Sequence, residues 1–280
     1  PWGGEHDHYD RLGLMLWHHD GWLLPDMGTT GYGAKMHYDY YKNSATHNTL
    51  SVNQTNQPPA NPQVAGWHMD SDALWLDSEV DWGKPPPELD SHSRVEWDAT
   101  AWRDVRFRRR LLWLEEVLID LSTVENPHRQ QLDWTLHLAA QALDQSGTPQ
   151  PFSLSGPLRH MANATMAPLN GCQPRHFARD GDTVALWLSG DGELWQGVAP
   201  DNPATHDLSY LVIRSHLPQA RFVCLWDFAN SAPLTEVQVN HTPVGTQITF
   251  WRGERVTHVT LYDAPGKRPD AIFPFAESGT

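Results

Sequence analysis

Val105-Arg106-Phe107-Arg108-Arg109-Arg110-Leu111-Leu112-Trp113-Leu114, then Glu115-Glu116, then Val117-Leu118-Ile119-Asp120-Leu121, is the stretch on which the fold class turns. Its length and its leucines invite a helix. However, Leu112 and Leu114 stand on one side of an acidic pair and Leu118 on the other, which reads better as a hairpin turning at Glu115-Glu116. Arg106, Arg108 and Arg110 alternate untidily with Val105, Phe107 and Arg109, so this strand is expected to be solvated on one face. Outward from it, apolar and β-branched runs bounded by Gly, Pro, Asn and Asp give further strands at Leu12–Trp17, Gly21–Leu24, Asn48–Asn53, Ala73–Glu79, Trp134–Leu138 and Val184–Leu188. The series continues with Leu208–Ser215, Arg221–Asp227, Thr235–Val239, Gln247–Arg252 and Arg255–Asp263. Long amphipathic patterns are missing and nothing repeats at a fixed period, which leaves a large antiparallel β-sandwich over residues 1–270 with a tail at 271–280.

Composition narrows the function. The chain has 280 residues and a net charge of −14, which repels polyanions at long range and argues against nucleic acid as a partner. No run reaches the roughly 18 apolar residues of a membrane helix, so no membrane association is expected. Two cysteines, Cys172 and Cys224, allow at most one bridge, so the fold must stand on packing. Fourteen Trp suit sugar faces, and 16 His suit metals or proton transfer. The chain opens at Pro1 without an initiator Met or a signal peptide, and it is read as the C-terminal portion of a longer protein.

Chemistry is concentrated in the first 60 residues. In an extended strand, His6, His8 and Asp10 would share a face with Leu12, Leu14 and Leu16 and point inward. Asp26 ends a second apolar run, and His47 follows the cluster Tyr38-Asp39-Tyr40-Tyr41-Lys42. His8, Asp26 and His47 make a two-His, one-carboxylate set that suits zinc. Their separations, 18 and 21 residues, match no compact motif. A turn at Asp20-Gly21 would also put Asp26 opposite Met15, about 20 Å from His8 at about 3.3 Å per residue. On spacing alone the plainer reading, a core histidine and a turn aspartate, is favoured. Tyr32, Tyr38, Tyr40 and Tyr41 offer phenols to a sugar, and Lys42 offers charge to a uronate or sulfate, although such residues more often pack or anchor loops. Arg11, facing away from His6, is expected to form a structural ion pair.

The segments Gly4-Glu5-His6-Asp7-His8-Tyr9-Asp10-Arg11-Leu12, Pro25-Asp26-Met27-Gly28-Thr29-Thr30-Gly31-Tyr32-Gly33 and Tyr40-Tyr41-Lys42-Asn43-Ser44-Ala45-Thr46-His47-Asn48-Thr49 together resemble the C-terminal β-domain of heparinase II/III-like polysaccharide lyases. The resemblance is nearest to the exo-acting oligoalginate lyases and exo-heparinases, and Gln131–His137 adds to it. It implies an N-terminal α/α toroid facing the β-domain across a cleft. It also implies β-elimination on uronate-containing glycans, of the heparin/heparan sulfate type or alginate oligosaccharides, acting from the chain end. In that arrangement His6 serves the catalytic pocket, Tyr40, Tyr41 and Lys42 are candidates for substrate contact, and His8, Asp26 and His47 hold one structural zinc. The base and most of the positive charge come from the toroid, so these 280 residues alone are expected to be inactive. The rival readings are a non-catalytic carbohydrate-binding sandwich and a zinc hydrolase. A bacterial periplasmic or cytoplasmic location stays open.

Overall fold

The computed structural model describes residues 7–71, 73–84, 97–144, 147–149, 156–229 and 231–272. The decisive stretch is a hairpin. Strands β6 (Arg106–Leu114) and β7 (Val117–Glu125) pair with Leu114 opposite Val117, and Glu115 turns the chain at φ 51°. The two strands sit in the middle of an eight-stranded antiparallel sheet. Its order is β4 (Gln63–Met69), β5 (Ala73–Asp81), β6, β7, β16 (Gln219–Asp227), β13 (Asp182–Gly190), β12 (Gln173–Arg179) and β9 (Gln141–Ala142). A six-stranded sheet covers one face, in the order β10 (Thr148–Pro149), β11 (Ala162–Leu169), β14 (Gly192–Pro200), β15 (Asp207–Ser215), β8 (Leu132–Leu138) and β3 (Leu50–Val52). A four-stranded sheet covers the other face, with β17 (Glu236–Thr242), β18 (Gly245–Arg252), β19 (Arg255–Tyr262) and β20 (Asp270–Ile272). β20 thus continues the sheet past the expected boundary at residue 270. A short hairpin of β1 (Leu16–His18) and β2 (Gly21–Leu24) stands apart.

Alternation explains the layering. On β8, Leu132, Trp134, Leu136 and Leu138 join Phe107, Leu118, Phe222 and Trp226 in a core between the six- and eight-stranded sheets. Leu112, Ile119 and Leu225 point the other way and meet Ile248, Phe250 and Leu261 of the four-stranded sheet. The alternate residues on β8, Asp133, Thr135 and His137, face outward and are buried all the same. Both thiols are free: Cys224 lies in the inner core and Cys172 is half-buried.

One expectation is overturned on β6. Arg108, Arg109 and Arg110 are buried, not solvated. Arg108 grips Asp77 through two contacts of 2.7 Å, and Arg109 grips Asp120 across the hairpin. Arg110 donates to the Tyr262 carbonyl beside Asp263. Each guanidinium finds a carboxylate or carbonyl, which is the condition for enclosing a charge. Strands β4, β11, β12 and β14 were not anticipated. β4 is an exposed edge, while β11 and β12 carry Pro168 and Pro174, and β9 pairs only with Phe177 and Ala178 at the far end of β12 from that second proline.

Candidate metal centre and its surroundings

Residues 7–57 supply Leu16, Leu23, Leu24, Leu50 and Val52 to the inner core, and much of the rest forms an extra layer on the outer face of the six-stranded sheet. Its apolar floor joins Met27, Tyr40, Tyr41 and Ala45 to Leu208, Tyr210 and Val212 of β15. The segment around His8 is not the extended strand its alternation suggests. The Gly13 amide donates to the Asp10 carbonyl at 2.7 Å and Leu12 adopts φ 56°, so the chain reverses there and strand structure starts only at Leu16. The β1–β2 turn sits at His19-Asp20, with His18 opposite Gly21 and a bulge between Leu16 and Trp17. The reversal at residues 10–13 removes the separation of about 20 Å that a straight strand would impose.

His8, Asp26 and His47 therefore meet. Their ligating atoms lie within 4.8 Å of one another. His47 Nδ1 donates to Asp26 Oδ2 at 3.0 Å, and the backbone N–H of Gly28 donates to Asp26 Oδ1 at 2.7 Å. The His8 and His47 rings are 5.2 Å apart at their centroids. His47 is fully enclosed, and its Nε2 is a buried polar atom with no partner. Such an atom costs free energy unless something is bound to it. Burial pushes the His8 pKa down to about 4, helped by His47 alongside. Burial also opposes protonation of His47, but the hydrogen bond to Asp26 and the charge of Asp10 outweigh it and raise the pKa. The Asp26 carboxyl is driven the other way: burial alone would raise its pKa, and the hydrogen bond from His47 brings it well below the carboxylate range. Two imidazoles and an ionised carboxylate with ligating atoms this close are a donor set that fits zinc.

Residues 1–223 match the family described as heparinase II/III-like, C-terminal. The chain belongs to that family. Among solved structures, a heparinase III gene product superposes with a TM-score of 0.58 at 11% identity, covering 98% of this chain and 38% of its own. Heparan sulfate lyase HepC from Pedobacter heparinus gives a TM-score of 0.53 at 11% identity, covering 95% and 36%. At that identity the likeness shows a shared fold, and the chain spans well under half the length of either structure. No curated protein matches the chain in sequence.

Within this heparinase II/III-like domain, the other anticipated residues fall in different places. His6 lies outside the described residues. Tyr40, Tyr41 and Lys42, the candidates for substrate contact, are buried within this domain. Tyr41 donates its hydroxyl to the Asp201 carbonyl at 2.6 Å, Tyr40 packs 4.9 Å from the ring of His160, and the Lys42 ammonium sits 5.9 Å from the Tyr9 ring. Tyr40 and Tyr41 belong to a π-helical turn at His37–Tyr41, capped by Lys42, whose apolar side faces the sheet. Arg11 does form the ion pair expected of it, with Asp7 at 2.9 Å. A cavity of about 620 Å³ opens elsewhere, lined by Gln141, Arg179, Asp180, Gln196, Asp207 and Ser209, and none of the anticipated residues touches it.

The sequence pattern did not single out His37 and His137. His37 lies 6.0 Å from His8 and 5.0 Å from Tyr32, ring to ring, and is hydrogen-bonded to Thr29. His137 is fully buried on β8, stacked 4.0 Å from Tyr210, with both ring nitrogens unpartnered. Burial pushes its pKa down to about 3, so the ring is neutral. The outward alternation of Asp133, Thr135 and His137 in the sequence was the available signal.

Proposed function

We propose that this domain is the C-terminal module of a polysaccharide lyase that cleaves uronate-containing acidic glycans by β-elimination, and that His8, Asp26 and His47 hold one structural zinc. The observation that carries the reading is the convergence of three ligating side chains, with His47 Nδ1 3.0 Å from Asp26 Oδ2 and His8 two residues along the chain from His6. Membership of the heparinase II/III-like family and the names of the structural neighbours favour a heparin- or heparan sulfate-type glycosaminoglycan.

β-Elimination needs the uronate carboxylate neutralised, a base for the C5 proton and an acid for the departing O4. His6 is assigned to the pocket as a hydrogen-bond donor or acid, since an imidazole titrates near neutrality. Zinc, when bound, supplies a fixed point from which the backbone at His6 is held in register. The remaining groups are assigned to an N-terminal helical domain across the cleft, which also supplies the positive charge that a chain of net charge −14 lacks. A hydrolytic metal centre is disfavoured because the ligating group of described residues contains no glutamate to serve as a base.

Metal analysis of the purified chain is expected to give about one zinc per molecule. A folded preparation that neither contains nor takes up zinc rejects the metal assignment. In the full-length protein, absorbance from unsaturated uronate should grow with heparan sulfate, and His6→Ala should lower turnover with zinc content unchanged. Unaltered turnover in that variant removes His6 from the pocket. Growth on alginate oligosaccharides alone moves the substrate class.

A further inference from the structure

We infer that the Asn48 carboxamide and the Arg109 guanidinium form a clamp that sets the positions of His8, Asp26 and His47 before any metal arrives. Asn48 is buried, and its side chain uses both its amide and its carbonyl for backbone. Its Nδ2 donates to the Leu14 carbonyl at 2.9 Å and to the Pro25 carbonyl at 3.0 Å, and its Oδ1 accepts from the His137 amide at 2.7 Å. Pro25 precedes Asp26, and Asn48 follows His47, so one planar amide ties the backbone beside one candidate ligand to the backbone beside another.

Arg109 brings in the third. Its Nη1 donates to the Asn48 carbonyl at 2.6 Å and to the Leu12 carbonyl at 2.7 Å, while the rest of the guanidinium is fixed by Asp120. The Leu14 amide closes the ring by donating to the same Asn48 carbonyl at 3.1 Å. From Leu12 the chain leads back to His8 through Arg11, whose carbonyl accepts from Thr49 Oγ1 at 2.7 Å and whose Nη1 reaches the His8 carbonyl at 3.3 Å. A ladder residue joins two neighbouring strands. This pair joins three loop segments, two of them next to a candidate ligand and the third leading back to His8, to β8 and to the centre of the eight-stranded sheet. Arg suits the task because its rigid fork spends two donors on Asp120 and still presents Nη1 to two carbonyls. Asn48 and Arg109 are positioning residues: neither touches the metal position in this arrangement, and both act through the backbone that carries the ligands.

The functional side of this inference rests on the zinc reading above, and the test separates the two. The double variant Arg109→Met with Asp120→Leu removes the cation together with its partner, so no unpaired charge is left inside, a replacement that is often neutral for stability. Its melting temperature is expected to stay within a few degrees of wild type while zinc affinity falls about 10- to 100-fold, the usual cost of losing a supporting shell. The matched control, Arg108→Met with Asp77→Leu, removes a buried pair that faces the four-stranded sheet and should leave zinc affinity unchanged. Equal affinity in the Arg109 variant and the wild type overturns the clamp. Should the double variant fail to fold, hydrogen exchange on metal-free wild type decides. The amides of Leu14 and His137 are expected to be protected as strongly as the amides of β7 at the centre of the eight-stranded sheet. Exchange at the rate of an open loop, with protection appearing only on zinc addition, overturns it. If wild type takes up no zinc at all, the metal reading fails, and the exchange experiment still judges the clamp.

Discussion

The three stacked sheets and the layer of residues 7–57 solve the burial problem in opposite ways. Between the sheets, alternating side chains bury apolar surface, and the backbone satisfies itself through ladders with full registers such as β7 with β16. In residues 7–57, regular structure is confined to short turns at His37–Tyr41 and Ser44–Thr46, to the brief strands β1 and β2, and to β3 at the edge of the six-stranded sheet, and polar side chains capture the backbone instead. Gln57 reaches the Leu50 carbonyl and the Arg11 amide, Thr46 the Tyr40 carbonyl, and Asn48 three segments at once. The sandwich tolerates change in any one contact because its cohesion is spread over area. The outer layer depends on individual donors and acceptors, and that is what allows three distant ligating residues to be held within a few ångströms.

The largest expected difference between the two regions follows from truncating one residue in each. Phe222→Ala, in the inner core, should cost about 3–5 kcal/mol in denaturant titration while zinc content stays at wild-type level. His47→Ala should lose the zinc outright. If Phe222→Ala also strips the metal from the folded protein, the two regions are not energetically separate.

A smaller effect tests the outward side of β8. His137 is neutral in the fold, with its pKa down at about 3 against 6.5 when unfolded. Above pH 6.5 neither state takes the proton and the residue contributes no pH dependence. As pH falls from 6.5 toward 3, the unfolded chain binds a proton that the fold refuses, and stability drops, by about 2 kcal/mol at pH 5. His137→Phe keeps the ring stacked on Tyr210 without nitrogens and should flatten this part of the stability–pH curve. Parallel curves for variant and wild type would show that another group governs the acid limb. The smallest effect belongs to the exposed edge: Trp67→Ser on β4 should change stability by less than about 0.5 kcal/mol in the same titration.

The β6–β7 hairpin was readable because Leu112 and Leu114 stand on one side of the acidic pair Glu115-Glu116 and Leu118 on the other. The same strand shows the limit of such reading. Arg108, Arg109 and Arg110 look like a solvated face until their partners are known, and Asp77, Asp120 and Asp263 become partners only through the register of β5, β6 and β7 and through the four-stranded sheet. At the candidate site, residue types singled out His8, Asp26 and His47, yet straight-strand geometry kept them about 20 Å apart. What brings them together is the reversal at Leu12, at φ 56°, a conformation no sequence rule assigns to a leucine. The burial of Tyr40, Tyr41 and Lys42 was equally hidden, since it depends on Leu208, Tyr210 and Val212 arriving from more than 160 residues downstream.

The two free thiols give this chain a reporter of its own unfolding. Cys224 is sealed between the sheets, and burial raises its pKa well above the usual thiol value; Cys172, half-buried, is pushed up to about 12. Alkylation proceeds through the thiolate, so a reagent in neutral solution meets almost none on the native protein. The rate at which Cys224 becomes labelled then counts the openings of the inner sandwich one molecule at a time. That clock sits on β16 of the eight-stranded sheet, opposite Asp120 and in one core with Leu16, Leu23 and Leu50, so it reports on the scaffold and its junction with residues 7–57 together.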